Sequence, residues 1–169
     1  MGSGKSTVAP RLARGLGYAR LDLDDAISRH TGLSIPALFE LYGEQRFRAE
    51  EHAMLRSLEK GTKTVVSLGG GTLVDPENLR WCLEHGTLVY LRGTAGFLAS
   101  RLSSSRRDRP LLYDADGRQL EAHALRQRVA DLLASRVHIY EQAHIIVDID
   151  AIPVSQIVQK IRRALDSAG

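Results

Sequence analysis

The residues best suited to chemistry stand at the start of the chain. Gly2-Ser3-Gly4-Lys5-Ser6-Thr7 matches the closing part of the pattern G-x-x-x-x-G-K-[ST]. Glycines let backbone N–H groups turn inward around phosphate oxygens. A helix opening directly after them adds the positive end of its dipole. In such a loop Lys5 bridges the outer phosphates of ATP, and the Ser6 hydroxyl is a ligand for Mg²⁺. Gly2, Ser3, Gly4, Lys5, Ser6 and Thr7 are therefore the expected nucleotide-binding residues.

Acidic and basic groups and a second glycine run follow the loop. Asp22 ends a short β-rich run, where a carboxylate can hold Mg²⁺ directly or through water. Asp24 lies two residues on and faces the same side if the chain is extended there. A carboxylate at that place can accept or orient the proton of an attacking hydroxyl, although phosphoryl transfer depends more on positioning and charge stabilisation. Arg48 and Arg136 carry planar guanidinium forks that suit a carboxylate, although either one taken alone reads as a surface residue. Gly69-Gly70-Gly71 permits close approach of backbone to a ligand, although a glycine triplet by itself also reads as an ordinary loop.

The elements that must position these residues alternate between helical and extended patterns, the mark of an α/β fold with a parallel sheet. Helices are expected over Lys5–Leu16, Asp25–His30, Ser34–Leu41, Glu44–Lys60, Asp75–His85, Thr94–Leu102, Leu120–Ala134 and Val154–Leu165. Strands are expected over Tyr18–Leu23, Thr64–Leu68, Thr87–Leu91 and Ala143–Ile149. Ser34 with Pro36, and Asp75 with Pro76, have the form of helix starts. Pro10 lies beyond the first turn of the first helix, where it removes a hydrogen bond and favours a kink. Ser103–Gly117 breaks periodicity, is rich in Ser, Arg and Asp, and is long for a plain connection, so it is a candidate lid.

The first glycine of the phosphate-binding pattern, and the apolar strand that normally feeds it, would both fall before Met1. That strand is central in sheets of this kind, and its loss would leave two neighbours with unpaired backbone. The expectation is a chain cut, or begun late, at an internal methionine.

Composition narrows the function classes. The chain has 169 residues, 43% hydrophobic and 25% charged, which fits one soluble domain. A net charge of +3 suits an anionic small ligand better than a nucleic acid, and Arg106-Arg107-Asp108-Arg109 is too short a cluster to alter that. No apolar run approaches the roughly 20 residues of a membrane span. Cys82, the one cysteine, forms no intrachain disulfide, which agrees with a reducing cytoplasm, and beside Trp81 on an amphipathic helix it reads as a buried or half-buried structural thiol rather than a nucleophile. The six histidines are scattered without metal-ligand spacing.

In order along the chain come Asp22-Leu23-Asp24-Asp25, Thr31-Gly32-Leu33-Ser34-Ile35, the run from Gly43 to Glu51, Leu68-Gly69-Gly70-Gly71, Arg109-Pro110-Leu111-Leu112, and Arg136 ahead of Tyr140-Glu141. Behind the phosphate-binding loop, this series resembles the shikimate kinase family over nearly the whole chain. The resemblance implies a three-layer P-loop kinase fold spanning 1–169, with a substrate-binding region over about 24–60 and the lid over about 103–117. It implies ATP and shikimate as substrates, 3-phosphoshikimate and ADP as products, and a place in aromatic amino-acid biosynthesis. It also implies a Mg²⁺ requirement and a cytoplasmic monomer with no nucleic-acid or membrane partner. By the same resemblance Lys5, Asp24 and Arg109 are catalytic, with Arg109 reaching the transferring phosphate from the lid. Asp24, Arg48, Gly70, Gly71 and Arg136 bind shikimate, and Ser6 and Asp22 hold the metal. Arg101 borders the adenine pocket or a solvated helix face. Asp150-Ala151-Ile152-Pro153 departs from many relatives, which carry a basic residue in this adenine loop.

Two other readings stand beside this one. A gluconate-type kinase of the same fold would also bind a hydroxy acid. A ligand-sensing module on a degenerate fold of this kind would be non-catalytic, but it has no need of Lys5, Ser6, Asp22, Asp24, Arg48, Arg109 and Arg136 together.

Overall fold

The computed structural model describes residues 2–58, 63–104, 112–114, 116 and 118–168. In chain order the elements are α1 (Lys5–Leu16), β1 (Ala19–Asp22), α2 (Leu23–Thr31), α3 (Ile35–Arg56), β2 (Thr64–Ser67), a 3₁₀ turn (Thr72–Val74), α4 (Pro76–His85), β3 (Val89–Arg92), α5 (Ala95–Ser103), α6 (Ala122–Ala134), α7 (Val137–Tyr140), β4 (Ile145–Asp148) and α8 (Val154–Ala168). The chain forms two compact units, Ser6–Thr87 and Met1–Lys5 with Leu88–Gly169.

In the unit Ser6–Thr87, β1 and β2 pair in parallel, with Ala19 opposite Thr64 and Asp22 opposite Ser67. This register sets the carboxyl end of β1 beside the glycine run that follows β2. The carboxyl ends of parallel strands are where open α/β sheets bind ligands. Leu23, Ile27, Leu38 and Phe47 form the core beneath, with Leu21, Leu33, Ile35, Met54 and Leu68 packed against them.

Local chemistry explains the helix boundaries in this unit. The Ser34 hydroxyl accepts from the Ala37 N–H at 3.3 Å, and Asp75 accepts from Glu77 N at 2.8 Å and Asn78 N at 3.3 Å. Each satisfies donors that the first turn leaves orphaned. Gly32 closes α2 in the left-handed region at φ 71°. Within α3, Gly43 breaks the helical path at φ 78°, ψ 175°. The two expected helices are therefore two arms of one element that meet at this glycine, and the second arm stops at Arg56.

In the other unit β3 and β4 pair in parallel, with Val89 opposite Ile145 and Arg92 opposite Asp148. Its buried residues include Leu98, Leu102, Leu125, Val129, Val147, Ile149, Ile157 and Ile161. The Thr94 hydroxyl caps α5 by accepting from Phe97 N at 3.3 Å. Asp150, just past β4, accepts from the Thr94 N–H through both carboxylate oxygens at 3.0 and 3.1 Å. The segment Asp150-Ala151-Ile152-Pro153 is thus anchored to the start of α5. Ala151 there takes a positive φ of 56°, a conformation unusual for a residue with a β-carbon.

Pro10 lies inside α1, which runs through it as one helix. α7 and the 3₁₀ turn are too short to show a period in sequence. Cys82 is buried and free, as expected. Burial raises its thiol pKa to about 11 against a smaller opposing effect of Arg56.

Candidate active site

Asp24 differs from the extended placement expected for it. β1 ends at Asp22 and α2 begins at once with Leu23, so Asp24 and Asp25 occupy its first helical turn. Leu23 and Ile27 are fully buried and Ala26 nearly so. This helical spacing draws the chain into α2 immediately after the strand. Two carboxylates in a first turn also complement the helix dipole. Asp24 is half-buried and Asp25 exposed. Asp22 precedes the helix, half-buried, and its carboxylate makes no capping bond to α2.

Arg48, on the second arm of α3, is held from two sides. Its Nη1 donates to Glu51 Oε2 at 2.5 Å. Its Nε and Nη2 donate to Glu44 Oε1 at 3.2 and 2.9 Å. Burial alone would lower the Arg48 pKa, but the hydrogen bonds and charges of Glu51 and Glu44 outweigh it and raise the value above its ordinary level. The guanidinium also lies 5.2 Å from the centroid of the Phe47 ring.

The glycine run packs directly against these groups. A β-carbon on Gly71 would stand 3.0 Å from Arg48 Nη2. One on Gly69 would stand 3.0 Å from Thr72 Oγ1 and 3.2 Å from both Asp24 Oδ1 and Glu51 Oε1. The fold therefore gathers Asp24, Arg48 and the Gly69–Gly71 backbone into one constellation inside the unit Ser6–Thr87. Gly70 is half-buried in the same run.

Glu51 and Thr72 belong to this constellation and were not among the expected site residues. Glu51 is 1% exposed and Thr72 0%. The Thr72 hydroxyl donates to Glu51 Oε1 at 2.5 Å. The signal for Glu51 was present in the i, i+3 spacing from Arg48, a helical neighbour position.

In the other unit, Gly2 and Gly4 have φ values of 69° and 86°, which favour glycine. A β-carbon on Gly2 would meet the Leu98 carbonyl oxygen at 2.8 Å, and one on Gly4 would meet Arg101 Nη2 at 2.9 Å. The loop thus lies against α5 with the Arg101 guanidinium on Gly4, which places Arg101 beside the phosphate loop. Ser3 is buried and Lys5 half-buried. A glycine loop with left-handed turns, Lys5 opening α1 and a guanidinium alongside fit an anionic phosphate chain. Arg136 is half-buried and precedes α7.

Ser6 and Thr7 are exposed in the first turn of α1, within the unit Ser6–Thr87. The Ser6 hydroxyl and the Asp22 carboxylate are hard oxygen donors, which fits Mg²⁺, an ion that keeps several of its waters. Among the described residues no group of three or more His, Cys, Asp or Glu side chains could hold a metal ion. Arg109 and most of the expected lid lie outside the described residues. No helix among those described is long and apolar enough to cross a membrane.

A glycine phosphate loop, parallel α/β pairing, and an arginine and carboxylate around a glycine-rich turn define the class, a nucleotide-dependent phosphotransferase acting on a small molecule. A family model described as shikimate kinase matches residues 1–166. The shikimate kinase of Chlorobium chlorochromatii is 43% identical over 165 residues, covering 98% of this chain and 86% of that protein. That of Salinibacter ruber is also 43% identical, over 95% of this chain and 78% of its own length. Among solved structures, shikimate kinase from Acinetobacter baumannii in complex with shikimate is similar at a TM-score of 0.85 and 32% identity, covering 99% of this chain and 89% of that one. The enzyme from Bacteroides thetaiotaomicron gives 0.87 at 28% identity, over 98% and 94%. This chain belongs to the shikimate kinase family.

Proposed function

We propose that this protein transfers the γ-phosphoryl group of ATP to the 3-hydroxyl of shikimate, giving 3-phosphoshikimate and ADP. The observation that carries the reading is the Arg48 guanidinium, charged and anchored by Glu51 and Glu44, lying over Gly71 in the constellation that holds Asp24. A planar fork fixed in this way suits the carboxylate of a compact hydroxy acid. Asp24 then orients the attacking hydroxyl, with Gly70 and Gly71 as close backbone contacts and Arg136 as a second carboxylate ligand. Lys5 and the N–H groups of Gly2, Ser3, Gly4, Ser6 and Thr7 take the phosphates. Arg109 neutralises charge on the transferring group, from a lid over 103–117.

Mg²⁺, held by Ser6 and Asp22, would neutralise charge on the phosphate oxygens. The oxygen-donor character of these two residues supports that assignment. Residues 1–169 act as one catalytic domain with a substrate region over 24–60, working as a cytoplasmic monomer. The single free cysteine, which is buried, agrees with a reducing compartment.

The test is ADP release by this chain with ATP, Mg²⁺ and shikimate, with gluconate as a control. Shikimate-dependent turnover that Lys5→Ala and Arg109→Ala nearly abolish is the expected result. Turnover with gluconate alone, or full activity in either variant, would refute the reading.

A further inference from the structure

Glu51 is a carboxylate almost wholly removed from water, and its two oxygens have different partners. Oε2 accepts from Arg48 and Oε1 accepts from Thr72, each at 2.5 Å. With Glu51 1% exposed, solvent does not stand ready to replace the Thr72 hydroxyl. The other anion on Arg48, Glu44, has a side chain 65% exposed. Solvent weakens ion pairs of that kind. The direction of the Arg48 fork therefore depends chiefly on where Glu51 points.

Thr72 is itself fixed. Its carbonyl accepts from Asn78 Nδ2 at 3.2 Å, and its N–H donates to the Gly69 carbonyl at 3.4 Å. Asn78 is 1% exposed, and its own N–H is tied to Asp75 at the start of α4. A continuous chain of polar contacts thus runs from the N-terminus of α4 through Asn78, Thr72 and Glu51 to the Arg48 guanidinium.

We infer that Thr72 is a positioning residue for substrate recognition: through Glu51, its hydroxyl sets the direction in which Arg48 is presented over Gly71. The inference rests on the reading of Arg48 as the receiver of a substrate carboxylate. Thr72 touches no reacting atom in this account. Its effect falls on the affinity for the hydroxy acid and leaves the affinity for ATP alone. A residue that merely supported the fold would affect both.

The experiment compares Thr72→Val, which removes the hydroxyl, with Thr72→Ser, which keeps it. Steady-state kinetics are measured against shikimate and against ATP, and the Arg48 Nε–H signal is followed by NMR in ¹⁵N-labelled protein. For Thr72→Val the expected result is a shikimate KM raised about ten- to hundredfold, the size of one hydrogen bond to a charged group. The ATP KM should stay within about twofold of wild type, since the change leaves the phosphate loop untouched. The Arg48 signal should broaden or vanish in Thr72→Val, and Thr72→Ser should restore both readouts. An unchanged shikimate KM and NMR signal in Thr72→Val overturns the inference. So does an equal rise in both KM values, or a Thr72→Ser protein that behaves like Thr72→Val. Should Thr72→Val not fold, Thr72→Ala takes its place with the same readouts. If wild type does not turn over shikimate, the proposed function fails, and the NMR comparison still decides the role of Thr72.

Discussion

Replacing Gly69 with alanine should damage catalysis more than it damages the fold. The new β-carbon would lie 3.0 Å from Thr72 Oγ1 and 3.2 Å from Asp24 Oδ1 and Glu51 Oε1, each a few tenths of an ångström inside ordinary contact. Thr72 is 0% exposed and Glu51 1%, and they are bonded to each other at 2.5 Å. Asp24, half-buried in the first turn of α2, is the third group that the new β-carbon would press. Overpacking of this kind costs about 1–3 kcal/mol in stability. A misplaced reacting group can cost on the order of a hundredfold in rate. The expected outcome is a kcat lowered about ten- to hundredfold, with a urea midpoint that reports a loss of about 1–2 kcal/mol. Coupled ADP-release kinetics and urea unfolding measure the two. Wild-type values in both would show that the constellation is looser than its distances imply. A loss of stability with unchanged kcat would show that Thr72 or Glu51 yields, and that Asp24 does not.

Four other outcomes are expected. Native Cys82 should resist iodoacetamide at pH 8 and react once urea unfolds the chain, because burial holds its pKa near 11. Rapid labelling of the native protein would contradict this. The same shift favours the folded state below the ordinary thiol value of 9.0, and that benefit is lost as pH rises through about 11. Cys82→Ala should accordingly blunt the fall of the urea midpoint over that range. Pro10→Ala should restore an N–H to the interior of α1 and raise stability by up to about 3 kcal/mol, so an unchanged or lower midpoint would count against the helical cost assigned to Pro10. Arg136→Ala should raise the shikimate KM more than it lowers kcat, and an unchanged KM would remove Arg136 from the substrate site.

Much of the architecture was legible in the sequence because it rests on local chemistry. α1 begins at Lys5 and ends at Leu16 as its composition indicates, and Ser34, Asp75 and Thr94 cap the helices expected after them. A cap or a helical period is decided within a few residues, so the chain carries it openly. The same holds for the phosphate loop, where Gly2 and Gly4 adopt the left-handed turns that their type permits. Asp24 shows where local reading stops. Two residues beyond Asp22 it could continue the strand or open a helix, and only burial of Leu23, Ala26 and Ile27 decides for the helix. Gly43 likewise joins two expected helices into one bent element.

The sequence by itself determined the alternation of helices and strands, the glycine loop ahead of α1, and the presence of Asp24, Arg48 and the glycine run. Tertiary structure alone decided that Thr72 holds Glu51, that Glu51 holds Arg48, and that Gly69 and Gly71 lie against these side chains. The physical reason is distance along the chain. Thr72 and Glu51 are 21 positions apart, and no helical or strand period relates them. Their contact exists because parallel pairing of β1 with β2 returns the chain to the same edge, where a carboxylate shut away from water must find its hydrogen bonds.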